Sequence, residues 1–297
     1  MIFTENGKSV QKAPAKEIIR NTVLSFVIAY GLHYLAYFLR VRYFALIDSL
    51  QPGEGPAHVL MYTGHVLFLA VLLLYALAVA EDRKYILGFL PRKGRKDPLW
   101  LLAGAVTGFV LMGACILAAN LHGDITVGAG SGVGRGIFIP AFLAVFLQAS
   151  TEEIESRAFL FGRMKGAGVP LAAAIPVSAF FFSYLHAANP GFGWIPLLSI
   201  FVVGLQYALS YHYFGSLWFS CAAHTLWNFT QDFIFGLPDS GKPAAVSVMN
   251  TAVNGSSFFY DKDFGIEGSW MAICINALAC VIIFLIGRKL AKRRIQA

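Results

Sequence analysis

Eight apolar runs constrain the fold of this chain more than any other feature of its sequence. Each is close to the roughly 20 residues that a helix needs to cross the apolar layer of a bilayer, and in lipid the backbone must hydrogen-bond within its own helix. Only 13% of the residues are charged, about half the fraction usual in a soluble domain. We therefore expect an all-α, polytopic transmembrane helix bundle of about eight membrane helices, with residues 1–297 forming a single integral-membrane domain. The runs cover residues 19–39, 57–80, 98–119, 137–162, 170–188, 194–214, 216–236 and 269–288.

The basic residues between these runs predict how the bundle is oriented. With eight spans, the basic clusters all fall on one side of the membrane, and the positive-inside rule places both termini in the cytoplasm. The opposite connections, 120–135 and 237–268, hold few basic residues, and Arg40 and Arg42 are a mild exception. We expect the plasma membrane as the location. The clusters contain Lys8, Lys12, Lys16, Arg20, Arg83, Lys84, Arg92, Lys93, Arg95, Lys96, Arg163, Lys165, Arg288, Lys289, Lys292, Arg293 and Arg294.

Charge and cysteine content exclude two classes of function. The net charge of +7 reflects this membrane orientation, and no basic patch is interleaved with exposed aromatic residues, so nucleic acid is not an expected partner. All four cysteines lie inside apolar stretches and none forms a CxxC pair. Neither a zinc knuckle nor a disulfide framework is indicated.

The stretch LQASTEEIESRAFLFGRMK, residues 147–165, places charge inside the fourth apolar run. An intramembrane carboxylate is costly and points to function; the alternative is a helix that ends early and leaves its glutamates in water. Glu153 and Arg157 are four residues apart and predicted to pair on one helix face, while Glu152 points about 100° away and is left to face a cavity. Glu155, three residues from Glu152, is expected to lie close enough to affect its ionisation. Asp232, near the end of the seventh run, is the other intramembrane carboxylate.

Two of the seven histidines lie in apolar helices beside other polar or aromatic groups in register. Phe182 precedes His186 by one turn, and His224 shares a helix face with Asn228. A carboxylate, two imidazoles and an amide could activate water and stabilise an oxyanion, or bind a metal through two histidines and a glutamate. The sequence contains no HExxH. We interpret His33 and His65 as core histidines, and the position of His58, His122 and His212 near helix ends explains those three.

Three motifs follow one another on successive membrane helices: EExxxR at residues 152–157, FxxxH at 182–186 and HxxxN at 224–228. Together they resemble the CPBP family of intramembrane endopeptidases (CAAX proteases and bacteriocin-processing proteins, also called the Abi family), which includes the type II CAAX prenyl endopeptidases. The resemblance covers about residues 137–236, which would form the catalytic core, and eight spans suit the family.

The resemblance implies peptide-bond hydrolysis in a cavity that opens to the cytoplasm. Glu152 would activate the water that His186 helps to hold, while His224 and Asn228 would stabilise the oxyanion. Glu153 and Arg157 would brace the helix, with Phe182 in support. Both a metal-free and a metal-dependent mechanism use these residues; we expect no cofactor, with zinc at the same residues as the alternative.

The sequence also departs from the family pattern. Ser156 and Ala158 stand where an aromatic residue and a glycine often flank the motif arginine, and Glu155 stands where an apolar residue is common. Substrate preference therefore does not carry over, and the expected partner is a membrane-embedded or membrane-anchored peptide or protein, prenylated or not. Two other functions stay open: a non-catalytic family member that binds a membrane partner, and a proton-coupled transporter that uses Glu152 and the histidines as a relay.

Overall fold

The computed structural model describes residues 14–91, 94, 96–130 and 135–296, and within these the chain is a bundle of α-helices. Five of the basic residues that support the predicted orientation, Lys8, Lys12, Arg92, Lys93 and Arg95, lie outside the described residues. The helices are α1 (Ala15–Leu50), α2 (Glu54–Thr63), α3 (Val66–Ala78), α4 (Ala80–Ile86), α5 (Asp97–His122), α6 (Arg135–Glu153), α7 (Gly162–Gly166), α8 (Leu171–Tyr184), α9 (Trp194–Phe214), α10 (Trp218–Phe229) and α11 (Trp270–Gln296).

Six helical stretches of the described chain are long and apolar enough to cross a membrane. They confirm the predicted all-α membrane bundle, but the predicted count of about eight is not confirmed, because α8 has 14 residues and α10 only 12. The second run is also interrupted, since α2 ends at Thr63 and α3 begins at Val66. The six stretches are Ala15–Leu50, Glu54–Ala78, Asp97–His122, Gly136–Gly166, Trp194–Phe214 and Trp270–Arg293.

Two π-helical segments continue the helices that carry the glutamate and histidine motifs. Ile154–Phe161 links α6 to α7, and Thr230–Ile234 extends α10. In such a segment each backbone N–H bonds five residues back, which makes the turn wider than in an α-helix and is frequent at functional sites. The two wide turns therefore begin within two residues of Glu152 and Asn228.

The two ends of the bundle differ in what holds them together. At one end, which we name the terminal face, Asn21 donates to the carbonyl of Ala167 (3.0 Å) and Arg163 bonds Asp82 (2.9 Å) and Ser25 (2.8 Å). This face carries the start of α1, the end of α7 and the end of α11.

The opposite end, which we name the loop face, carries the turns between α1 and α2 and the long segment between α10 and α11. Two short strands that the sequence did not predict, β1 (Ile125–Ala129) and β2 (Met249–Val253), pair antiparallel there, with Ile125 opposite Val253. The strand pair ties the α5–α6 connection to the α10–α11 connection.

Helix α5 packs against α10 through two glycines one turn apart. A Cβ atom at Gly104 would lie 2.1 Å from the carbonyl oxygen of Phe219, and one at Gly108 would lie 2.1 Å from that of Ala223. Small residues spaced by four let helix backbones approach closely in membranes. The contact holds α10, and with it His224, in place.

We expect Gly108→Ala to lower the melting temperature of the detergent-solubilised protein, because the added methyl group must push α10 away from α5. Overpacking of this kind costs about 1–3 kcal/mol. Gly113→Ala is the matched control, since Gly113 lies on the same helix with nothing within 4 Å of its Cβ position. Equal melting temperatures for the two variants would contradict the close contact.

Candidate active site

A cavity of about 100 Å³ lies beside Glu152, between helices α1, α2, α6 and α10 and the segment after α10. Ten of the twelve residues that line it carry a polar or charged side chain. Its lining residues are Arg40, Phe44, Met61, Tyr62, His65, Gln148, Glu152, His186, Asn228, Asp239, Ser240 and Lys242.

The Glu152 carboxylate is held on one oxygen and free on the other. Oε1 accepts a hydrogen bond from Gln148 Nε2 (2.7 Å) and lies 3.2 Å from His65 Nε2. Oε2 has no hydrogen-bond partner among the described residues, and His224 Nε2 is 3.9 Å away. The side chain keeps 15% of its surface exposed. One buried oxygen of Glu152 is thus available to a small ligand such as water.

Glu153 is fully buried and neutralised by two partners. Its Oε1 accepts hydrogen bonds from Arg157 Nη1 (2.8 Å) and from His224 Nδ1 (3.2 Å). The Arg157 guanidinium also lies 4.2 Å from the centre of the Phe182 ring and 5.3 Å from that of Tyr207. A buried charge needs such pairing to be tolerated. The predicted Glu153–Arg157 pair is present, and it orients His224 as well.

His186 reaches the cavity from beyond the end of its helix. The predicted run 170–188 ends as a helix at Tyr184, and His186 follows in a turn where its Nδ1 donates to the carbonyl of Phe182 (2.9 Å). The Phe182 ring packs edge-on against both His186 and His224, with ring centres 5.1 and 5.6 Å apart. The early helix end brings a histidine to the level of Glu152.

Asn228 is linked to Glu152 through Gln148. Asn228 Nδ2 donates to Gln148 Oε1 (3.2 Å), while the amide nitrogen of Gln148 donates to Glu152. Asn228 is almost completely buried and lines the cavity. The structure therefore brings together all four residues predicted as catalytic, Glu152, His186, His224 and Asn228, with Glu153, Arg157 and Phe182 behind them.

Sequence reasoning missed two neighbours of Glu152. We interpreted His65 as a core histidine, but its Nδ1 bonds the carbonyl of Tyr62 (3.1 Å) and its Nε2 meets Glu152. The available signal in the sequence was Gly64, which precedes His65 and interrupts the second apolar run. Gln148 stands one helical turn before Glu152, a spacing that indicates contact.

Glu155 pairs with His33, a partner that the sequence analysis did not assign to it. Both of its oxygens are 3.1 Å from His33 Nδ1, which gives His33 the partner that the sequence did not reveal. The wide turn that begins at Ile154 changes the angular position of every following residue, and an i,i+3 rule for α-helices no longer applies. His33 and Glu155 form a separate pair between α1 and the π-helical segment.

Asp232 belongs to a second polar cluster beside the cavity. Its Oδ2 accepts hydrogen bonds from His58 Nε2 (2.7 Å) and from the Tyr62 hydroxyl (2.6 Å), and that hydroxyl also lies 2.7 Å from Asp239 Oδ2. We had expected its position near a helix end to explain His58. The residue is instead buried and hydrogen-bonded to Asp232, so that interpretation was wrong. The cluster connects α2, the end of α10 and the turn at residues 239–242.

The turn at residues 239–242 covers one side of the cavity and is held by Glu267. Glu267 Oε2 accepts hydrogen bonds from the backbone nitrogen and the hydroxyl of Ser240 (both 2.8 Å), and Oε1 accepts one from Trp227 Nε1 (3.0 Å). Burial and the nearby Asp239 carboxylate raise the pKa of Glu267 to about 7 despite these bonds.

The three histidines around Glu152 share one orientation of their rings. The described residues contain no group of three or more His, Cys, Asp or Glu arranged to hold a metal ion. His65, His186 and His224 each use Nδ1 for a hydrogen bond to a protein oxygen, which leaves Nε2 toward the site. Zinc at Glu152, His186 and His224 stays the alternative to a metal-free site.

Residues 134–230 match the model of the type II CAAX prenyl endopeptidase Rce1-like family. These residues are similar to an Rce1-like domain, and we use that name for them. The domain is about one third of the chain and contains every predicted catalytic and supporting residue. No curated protein and no solved structure matches the chain.

The Rce1-like domain implies protease activity, and the six apolar helices agree with a membrane protein. The remainder of the chain also contributes to the site. Arg40 and His65 precede the Rce1-like domain, and Asp239, Ser240 and Lys242 follow it, yet all five line the cavity. The cavity wall is therefore completed by parts of the chain outside the matched residues.

We expect Arg157→Leu to lower the free energy of unfolding by about 3–5 kcal/mol, because the variant leaves Glu153 as a buried carboxylate without its guanidinium. Thermal unfolding in detergent measures the loss. Arg288→Leu removes an exposed arginine and should leave the melting temperature unchanged. An unaltered melting temperature in Arg157→Leu would show that the pair does not stabilise the bundle.

The raised pKa of Glu267 predicts a pH dependence of stability. The folded state binds its proton more tightly than the unfolded state, whose pKa is 4.5. This contribution is full below about pH 4.5 and is lost as the pH rises through about 7, a change on the order of 3 kcal/mol. Glu267→Gln should flatten the fall in unfolding free energy over that range, and parallel profiles for the two proteins would refute the assignment.

Proposed function

We propose that the protein is an intramembrane endopeptidase in which Glu152 activates the water that hydrolyses the peptide bond. The observation that carries the proposal is the unpartnered Oε2 of Glu152, buried at a polar cavity and 3.9 Å from His224 Nε2. A general base must reach the proton that it removes, directly or through one water. The Rce1-like domain supports the same reaction class.

In this mechanism Glu152 Oε2 removes a proton from a water that His186 Nε2 helps to hold. The oxygen of that water attacks the carbonyl carbon of the substrate peptide bond, and the carbonyl oxygen becomes an oxyanion. His65 and Gln148 hold the other oxygen of Glu152 in place, so that only Oε2 takes part. Fixing the base in this way lowers the cost of reaching the reactive geometry.

His224 and Asn228 are the proposed donors to the oxyanion. His224 donates from Nδ1 to Glu153, and the adjacent carboxylate stabilises the ring when Nε2 is also protonated. Asn228 uses one amide hydrogen for Gln148 and has a second to offer. Donors fixed where negative charge develops are worth about 10²–10³ in rate each.

The second proton transfer completes the reaction. Glu152, protonated in the first step, gives its proton to the amide nitrogen as the carbon–nitrogen bond breaks. The products are a carboxylic acid and an amine, and the glutamate returns to its starting state. One water is consumed and no other reactant is required.

The proposed substrate is a membrane-associated polypeptide. A cavity of about 100 Å³ has room for a few waters and a peptide group rather than a folded domain. Maturation of a membrane-bound peptide and CAAX-type processing both involve such a segment. The site's place within the bundle supports a substrate that reaches it in or at the membrane.

We expect Glu152→Gln to lower kcat by about 10²–10⁴ while leaving the melting temperature unchanged, because the amide keeps the size of the side chain but cannot take a proton. Cleavage is measured in proteoliposomes with a pool of lipid-anchored, internally quenched peptides. Glu155→Gln is the matched control on the same stretch of helix, since its partner is His33, and it should cleave at the parent rate.

Three outcomes would point away from this mechanism. Cleavage by Glu152→Gln at the parent rate would remove the base assignment. Glu152-dependent proton flux across the proteoliposomes without cleavage would favour a carrier. Activity lost with a chelator and restored by Zn²⁺ would show that a metal takes part at the same residues.

A further inference from the structure

The residues that line the cavity all lie between the level of Glu152 and the loop face. At about 1.5 Å per residue, Glu152 is roughly 25 Å from the loop-face start of α6 and roughly 20 Å from the end of α7. Gln148 is one turn nearer the loop face. Glu152 thus lies near mid-membrane, at the bottom of the cavity as seen from the loop face.

The other helices place their lining residues on the same side. Helix α1 runs toward the loop face and contributes Arg40 and Phe44 from its last third, whereas α2 starts at the loop face and contributes Met61 and Tyr62. Asn228 comes from the loop-face end of α10. His186 lies past the loop-face end of α8, and Asp239, Ser240 and Lys242 belong to the loop segment itself.

Packed side chains close the way from Glu152 to the terminal face. Phe159, Leu160 and Met164, on the helix below Glu152, are completely buried, as is Ile86 at the end of α4. The Arg163–Asp82 ion pair lies beyond them. No lining residue of the cavity comes from this part of the bundle.

Charge assigns the two faces to the two sides of the membrane. The basic clusters that the structure describes, at the start of α1, in α4, in α7 and at the end of α11, lie on the terminal face. The loop-face half carries fewer basic residues: Arg40 and Arg42 in the last third of α1, and Arg135, Lys242 and Lys262 in the long connections. The positive-inside rule therefore places the loop face outside the cytoplasm. The sequence-based expectations of cytoplasmic termini and of a cavity that opens to the cytoplasm do not agree with each other in this fold.

We propose that the cavity opens to the non-cytoplasmic side and that the substrate is an exported or membrane-anchored polypeptide with its scissile bond in the outer half of the bilayer. The part concerning the substrate rests on the proposed protease function; the part concerning access does not. Of the two processes named under the proposed function, this orientation favours maturation of an exported or membrane-bound peptide. CAAX-type processing of a cytosolic protein is not favoured, because the lipid-bearing C terminus of such a protein lies on the opposite side of the membrane.

Cysteine labelling tests access without reference to activity. In a Cys274→Ala/Cys280→Ala parent, which keeps the buried Cys115 and Cys221, single cysteines replace Met61 in the cavity, exposed Ala252 on the loop face or exposed Glu81 near the terminal face. A membrane-impermeant maleimide is applied to right-side-out and inside-out vesicles. We expect Met61→Cys and Ala252→Cys to react in right-side-out vesicles and Glu81→Cys to react only in inside-out ones.

Labelling of Met61→Cys in inside-out vesicles only, together with Glu81→Cys, would overturn the proposal. So would reaction of Ala252→Cys from the cytoplasmic side, because it would reverse the bundle. An unreactive Met61→Cys in both preparations would contradict an open cavity, and Phe44→Cys, which lines the same cavity, then checks whether the single position or the cavity is closed.

The substrate is tested by comparing new protein termini in cells that express the parent or Glu152→Gln. Glu152-dependent termini should map to the outer half of membrane segments or to exported peptides. If they map to cytosolic sequences, the proposed substrate class is wrong. If none depends on Glu152, the protease function fails while the labelling result on access stands.

Discussion

The ion pair between Glu153 and Arg157 is the interaction on which the rest of this site depends. Two opposite charges completely removed from solvent are stable only when they satisfy each other, and here the pair also fixes a third group, because Glu153 accepts from His224 Nδ1. Arg157 in turn lies against Phe182 and Tyr207 on two further helices. One pair thus joins α6, α8, α9 and α10 around the cavity.

Much of the site could be predicted because its residues repeat at helical spacing within single membrane helices. Glu153 and Arg157, and the four candidate catalytic residues, lie together as the motifs indicated. Glu155 could not be placed, since the local sequence does not announce the π-helical segment that turns it toward His33. His65 and the turn at residues 239–242 are distant in sequence and meet Glu152 only through the packing of the whole chain.

The sequence composition predicts a bundle of membrane helices, but it predicts the lengths of the individual helices less well. Apolar runs identify membrane helices, but hydropathy alone does not locate where a helix stops, and two predicted spans are short helices flanked by turns. The end of α8 at Tyr184 is the consequential one, because it frees His186 to enter the cavity. From the sequence, we interpreted the polar loop between α10 and α11 only as a connection. In the structure, the turn at residues 239–242 of this loop lines the cavity, and residues 249–253 form strand β2.

The hydrogen bonds of His65 determine which of its two ring nitrogens can accept a proton. His65 Nδ1 carries a hydrogen, because it donates to the carbonyl of Tyr62. In the neutral imidazole, Nε2 then has only a lone pair. A hydrogen bond between Nε2 and Glu152 Oε1, 3.2 Å away, therefore forms only when the imidazole and the carboxylate share one further proton. The structure therefore places a proton acceptor, the lone pair of His65 Nε2, next to the proposed base. In the proposed reaction, the proton that Glu152 takes from water can be shared with His65 Nε2 at 3.2 Å and held within the site until it passes to the amide nitrogen.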